Sequence, residues 1–186
     1  MRVKLVCCIF SALLLAPAQA GKFTESAGTA VAIALPLAAA GITAYKKDWK
    51  GTAQLFVTSA LTLGTAYGLK HLVRECRPFA KPCVHGGPNW DSFPSDTSAL
   101  ASSGSSFLWA RYGWQYGVPA FLASGFVGWS RVDAKKHHWW DTVASTGISI
   151  AYNGLLTTRY RPHSRGFYSS LDGGSDGVYA SVGYRW

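Results

Sequence analysis

Charge is what this sequence has least of. Only 15% of its 186 residues are Asp, Glu, Lys or Arg, against roughly 25% in an ordinary soluble domain. Acid is scarcer still, with 9 Asp and Glu against 18 Lys and Arg, a formal net charge of +9. Cysteine is nearly absent: two of the four, Cys7 and Cys8, lie at the extreme start, leaving Cys76 and Cys83. Two cysteines make a poor metal site. No residue is missing in the way that marks a disordered chain, because 48% of the sequence is hydrophobic and 14% aromatic. The 20 glycines follow no G-x-y period, which excludes collagen. The length suits one domain without a second sizeable core.

The two ends differ from the middle. Met1–Ala20 reads as a secretory signal: Arg2 and Lys4, an apolar run from Leu5 to Leu15, then Ala18-Gln19-Ala20 as a small-residue cleavage site. An uncleaved first membrane helix is the alternative, although the run is short of the roughly 20 residues a span needs. In an exported chain Cys76 and Cys83 can form one disulfide; two unpaired thiols are the alternative. Residues 159–186 form a basic tail with aromatics on both sides of Asp172-Gly-Gly-Ser-Asp-Gly177, a pattern that suggests a β-hairpin or else a frayed end.

Between them lie five runs without a charge: Ser26–Tyr45, Gly51–Leu69, Thr97–Ala110, Tyr112–Ser130 and Thr142–Thr158. They are rich in Ala, Gly, Ser and Thr, which lower hydropathy and let helices approach closely inside a membrane bundle. A soluble Ala-rich bundle would show the same pattern. With the segment after the signal outside, Lys46, Lys47, Lys50, Arg111 and the tail arginines fall inside, as the excess of cytoplasmic cations demands. Residues 70–96 and 131–141 then lie outside and are also basic, so those cations need another explanation. The expected architecture is an all-α, membrane-embedded bundle of about five helices over residues 21–158, after a signal peptide and before a short C-terminal hairpin.

Three motifs supply the explanation. Lys70-His-Leu-Val-Arg-Glu-Cys-Arg77-Pro78 closes the second run, Ser92-Phe-Pro94-Ser95-Asp96-Thr97-Ser98 opens the third, and Ser130-Arg131…His137-His138-Trp-Trp-Asp141 joins the fourth to the fifth. Alternating helix directions bring all three to one face. Arg77 and Arg131 offer planar forks to phosphate oxygens and Lys70 a point charge. Ser95 sits at a helix start, where free backbone N–H groups favour an anion. His137 and Asp141 are four apart, so Asp141 can hold the Nδ1 proton and leave Nε2 as a nucleophile. Together these groups describe phosphoryl transfer needing no metal and no other cofactor.

In order and spacing the motifs resemble the type 2 phosphatidic acid phosphatase superfamily of lipid phosphate phosphatases and vanadium haloperoxidases. Its pattern is Lys-x6-Arg-Pro, Pro-Ser-Gly-His and Ser-Arg-x5-His-x3-Asp. The first is met by Lys70, Arg77 and Pro78, the third by Ser130, Arg131, His137 and Asp141. The resemblance implies that His137 attacks phosphorus, that Asp141 orients it, and that Lys70, Arg77, Ser95 and Arg131 bind the phosphoryl oxygens. It implies a lipid phosphate or diphosphate substrate at the periplasmic face of a bacterial inner membrane, and a membrane rather than a nucleic acid as partner. The second motif departs: Pro94-Ser95 is kept, Asp96 replaces the glycine, and Thr97 replaces the histidine that serves the family as general acid. Losing such an acid costs about 10²–10⁴ in rate. Asp96, or a histidine among His71, His85 and His138, takes its place, or the protein binds its ligand without efficient turnover.

Overall fold

The computed structural model describes residues 17–80, 82–83, 89–161, 166–174 and 177–185. Five helices follow one another: α1 Pro17–Tyr45, α2 Trp49–Val73, α3 Asp96–Tyr112, α4 Trp114–Asp133 and α5 Trp139–Leu156. Each contains one of the five uncharged runs, or nearly all of it. Residues 1–16 of the expected signal lie outside the described residues, and Pro17–Ala20 form the first turn of α1. After α5 the chain makes a two-stranded antiparallel hairpin, β1 Gly166–Gly174 with β2 Gly177–Arg185, pairing Gly166 with Arg185 and Gly174 with Gly177. The tail is therefore a hairpin.

Helix α3 is the hub and packs on all four other helices. Its sequence explains why. Residues 98–108 are all buried except the half-buried Leu100, and most of them are Ala, Ser or Gly. A Cβ on Gly104 would meet the Pro36 nitrogen at 2.7 Å and the Leu35 carbonyl carbon at 2.8 Å, so α1 and α3 touch backbone to backbone there. The apolar core is small: Ala32, Leu35 and Ala39 of α1, Leu55 of α2, Ala101, Phe107 and Leu108 of α3, and Ala120 and Val127 of α4. Hydroxyls complete it by bonding to their own helix. Thr58 Oγ1 donates to Gln54 O at 2.9 Å, Thr62 Oγ1 to Thr58 O at 2.7 Å, and Ser103 Oγ to Leu100 O at 2.8 Å.

Large apolar side chains instead face outward, among them Leu37, Phe56, Leu61, Leu122, Phe126, Val143, Ile150 and Leu155. Among the described helices only Lys22–Tyr45, 24 residues, is long and apolar enough by itself to cross a membrane. The other helices are diluted by the small and polar residues that let them pack on α3.

Two ends of the bundle carry the polar machinery. At one end the close of α2, the start of α3 and the start of α5 meet. At the other, the turn from α1 to α2, the close of α3 and the exit from α5 meet around a buried Asp48–Arg111 ion pair.

Candidate active site

The three sequence motifs converge at the first of these ends. Backbone bonds fasten the segment before α3 to both neighbours: Ser92 N–H donates to Glu75 O at 2.9 Å, Arg77 N–H to Asn89 O at 3.0 Å, and Ser95 N–H to Asp141 O at 3.3 Å. A disulfide between Cys76 and Cys83 closes the loop that carries Arg77.

His137 is buried and precedes α5 rather than lying on it. Its Nδ1 is 2.8 Å from the Ser92 carbonyl oxygen, whereas Asp141 Oδ2 is 3.5 Å away. A carbonyl can only accept, so Nδ1 carries the proton and Nε2 of the neutral ring keeps its lone pair. The nearest partner of Nδ1 is thus the Ser92 carbonyl, not Asp141. Asp141, fully buried, accepts from Ser92 Oγ at 2.6 Å and from the His138 backbone N–H at 2.8 Å. The second contact fastens the first turn of α5, as a carboxylate at the third helical position does. Ser92 thus touches both halves of the His–Asp pair. Ser92 lies within the second motif, where nothing in the local sequence marks this role.

Ser95 caps α3, its buried Oγ accepting from Ser98 N–H at 3.3 Å. Lys70, buried at the close of α2, donates to Asp91 O and Pro94 O, each at 2.7 Å, and its Nζ lies 3.4 Å from Asp96 Oδ2. Asp96 itself is 55% exposed, so this carboxylate lies between Lys70 and solvent. Arg77 grips Asp91 with Nε and Nη2, both at 2.9 Å, which uses two of its five N–H donors. Partial burial pushes the Asp91 carboxyl up, but the Arg77 fork outweighs it and holds the group below the usual carboxylate range.

Arg131 is buried at the close of α4. Its backbone oxygen accepts from Lys136 N–H at 3.0 Å and His137 N–H at 3.3 Å, which ties the loop carrying His137 to α4. Its guanidinium turns to α1, where Nη2 donates to the Glu25 carbonyl and Nη1 lies 3.9 Å from the Glu25 carboxylate. Gly28 makes room for this crossing, since a Cβ there would stand 1.9 Å from Ser130 Oγ. Asp91 and Glu25, the acidic partners of the two arginines, are isolated residues in the sequence and carry no local signal.

The remaining acid candidates are dispersed. His71 is exposed and packs edge-on against Tyr67. His85 lies outside the described residues. His138 stacks on Trp140 at 4.4 Å, with Nδ1 3.4 Å from Glu75 Oε1. Glu75, His138 and Asp141 bring ligand atoms within 4.8 Å of one another. Glu75 also accepts from Trp140 Nε1 and Asp141 from Ser92 and His138, so the trio serves internal bonds.

An oriented histidine beside a helix start, with lysine and two arginines arriving in this chain order, marks a phosphoryl-transfer enzyme built on a helical bundle. The chain belongs to the PAP2 superfamily, whose family model matches residues 51–165, from the first turns of α2 past the end of α5. Among characterised proteins it is similar to the lipid A 4'-phosphatase of Helicobacter pylori (strain J99 / ATCC 700824). That relative is 27% identical over 162 residues, covering 82% of this chain and 80% of the relative. No solved structure gives a significant match. Family and relative together support hydrolysis of a lipid phosphate.

Proposed function

We propose that the protein removes a phosphoryl group from a membrane lipid at the periplasmic face of the inner membrane, through a phosphohistidine. The observation that carries this reading is buried His137 with Nδ1 2.8 Å from Ser92 O, an arrangement that in the neutral ring leaves Nε2 as the nucleophile. Nε2 attacks phosphorus while the P–O bond to the lipid breaks; water then cleaves the P–N bond and releases inorganic phosphate. Lys70, Arg77, Arg131 and the N–H groups at the start of α3 stabilise the charge that develops on the phosphoryl oxygens. An incoming phosphate dianion competes with Asp96 for Lys70. Asp96 then serves as the acid for the leaving oxygen in place of the family's histidine.

The many large apolar side chains that face outward from the helices support a bilayer as solvent. Between α4 and α5 lies an apolar cavity of about 600 Å³, with Val132 and Trp139 among its lining residues. It shares Phe121 and Ile150 with a second cavity of about 660 Å³ that reaches Trp109 and Gly154. The pair forms a groove suited to acyl chains.

The test is phosphate release by purified protein from lipid A, phosphatidic acid and an isoprenoid diphosphate. His137→Ala is expected to abolish release and trapping of radioactive phosphate on the protein. Asp96→Asn is expected to lower kcat about 10²-fold or more on an alkyl phosphate and far less on a diphosphate, whose leaving group needs little protonation. Full activity in His137→Ala refutes the mechanism; equal losses on both substrates remove Asp96 as the acid. Phosphate binding without release by the wild type favours the alternative, a family member impaired by Thr97.

A further inference from the structure

The end of the bundle away from His137 holds a second concentration of positive charge. There the α1–α2 turn and the segment leaving α5 enclose a cavity of about 880 Å³. Lys46, Lys47, Lys50, Arg159 and Arg161 line it, together with Asp48 and Arg111. The last two neutralise each other: Arg111 reaches the Asp48 carboxylate through Nη2 and through Nε at 2.7 Å, with both side chains buried. The other five cations make no ion pair among the described residues. Gathering five like charges around one cavity is unfavourable unless an anion enters.

The cavity is built rather than incidental. Arg111 Nη1 donates to Thr158 O at 2.6 Å and Thr158 Oγ1 at 3.0 Å, and the Arg111 carbonyl accepts Tyr160 N–H at 2.8 Å. These bonds fix the segment that carries Arg159 and Arg161. Lys46 Nζ stands 5.5 to 5.7 Å from the centres of the Tyr112, Tyr116 and Tyr160 rings, a cage that holds its ammonium in place. Lys47 adopts φ 53° in the tight turn before α2, and it lines the cavity together with Lys46 and Lys50. Along α2 this end is about 33 Å from Lys70 at about 1.5 Å per residue, too far for either cluster to serve the other.

We propose that this cavity is a second anion site, which takes a phosphate group independently of catalysis. Two sources offer that chemistry, the headgroup of an anionic phospholipid and a free phosphate or diphosphate. The site bridges the α1–α2 turn and the exit from α5, so occupancy stabilises the bundle by mass action.

The experiment follows thermal unfolding of the purified full-length chain in neutral maltoside detergent. Dihexanoyl phosphatidylglycerol, dihexanoyl phosphatidylcholine and sodium pyrophosphate are titrated separately. Phosphatidylglycerol is expected to raise Tm, and phosphatidylcholine is not. In Lys47→Gln/Lys50→Gln/Arg161→Gln, whose altered side chains are all exposed, the half-saturating concentration should rise at least tenfold. In Arg77→Gln, at the catalytic end, it should stay within twofold. A matching response to pyrophosphate identifies the free anion as ligand, and a response to phosphatidylglycerol alone identifies the lipid headgroup. The proposal is overturned by no response, by equal responses to both lipids, by a triple variant that responds like the wild type, or by loss of the response in Arg77→Gln.

Discussion

One residue, Ser92, contributes two groups to the candidate nucleophile. Its carbonyl fixes the His137 tautomer, and its hydroxyl gives Asp141 Oδ2 the shortest of its bonds, 2.6 Å. Asp141 Oδ1 is buried without a partner, so the orientation of this carboxylate rests on Oδ2. Ser92→Ala removes the hydroxyl and keeps the carbonyl. A hydrogen bond to a charged group contributes about 1.5–3 kcal/mol, and its loss through misplacement of Asp141 should lower kcat roughly 10- to 100-fold. KM should change less than twofold, because among the described residues Ser92 makes no hydrogen bond to the side chains of Lys70, Arg77 or Arg131. Ser92→Thr, which restores a hydroxyl, should recover most of kcat. A Ser92→Ala enzyme with wild-type kcat would show that Asp141 acts without it. The sequence could not reveal this role. A serine three residues before a helix cap is ordinary, and the bond to Asp141 spans 49 residues.

At the scale of the element, α3 decides the fold, and the reason lies in what its side chains leave out. Most helices bury one stripe; from Ser98 to Leu108 α3 buries every residue but the half-buried Leu100. The absence of charge from Thr97 to Ala110 is a local property, so it was legible, as were the approximate extents of the other helices, although α1 starts at Pro17, inside the expected signal. The partners of α3 were not legible, because close backbone approach depends on which glycine meets which helix. Gly104→Val places methyl groups where α1 backbone stands 2.7 Å from the first added carbon. Backbone cannot swing aside, so the cost should reach or exceed the 1–3 kcal/mol typical of overpacking. Gly64→Ala, at a helical glycine with open space, is the control and should be neutral or slightly stabilising. Thermal unfolding in detergent compares the two. A similar Tm for both variants would mean that α1 and α3 are not in backbone contact.

For the whole molecule, the placement of charge at two ends predicts how stability follows pH. Burial pushes the Asp48 carboxyl up, but the Arg111 fork, the Gly51 N–H and the Tyr112 hydroxyl together hold it below the usual range. The Asp91 carboxyl is lowered in the same direction at the catalytic end. A carboxyl with a folded pKa below its unfolded value of about 3.9 stabilises the fold above that value. The contribution disappears as pH falls through the folded pKa, where the folded carboxylate also takes up its proton. The wild type should therefore keep a flat Tm from neutral pH to about pH 5 and lose stability below about pH 4. Arg111→Ala should behave in the opposite sense. It leaves Asp48 buried and unpaired, at a cost of about 3–5 kcal/mol at neutral pH. Burial then dominates and lifts the Asp48 pKa above its unfolded value, so protonation relieves the penalty. The gap in Tm between variant and wild type should narrow as pH falls from 7 to 4, and a gap that stays constant would show that Asp48 is not the group Arg111 holds charged.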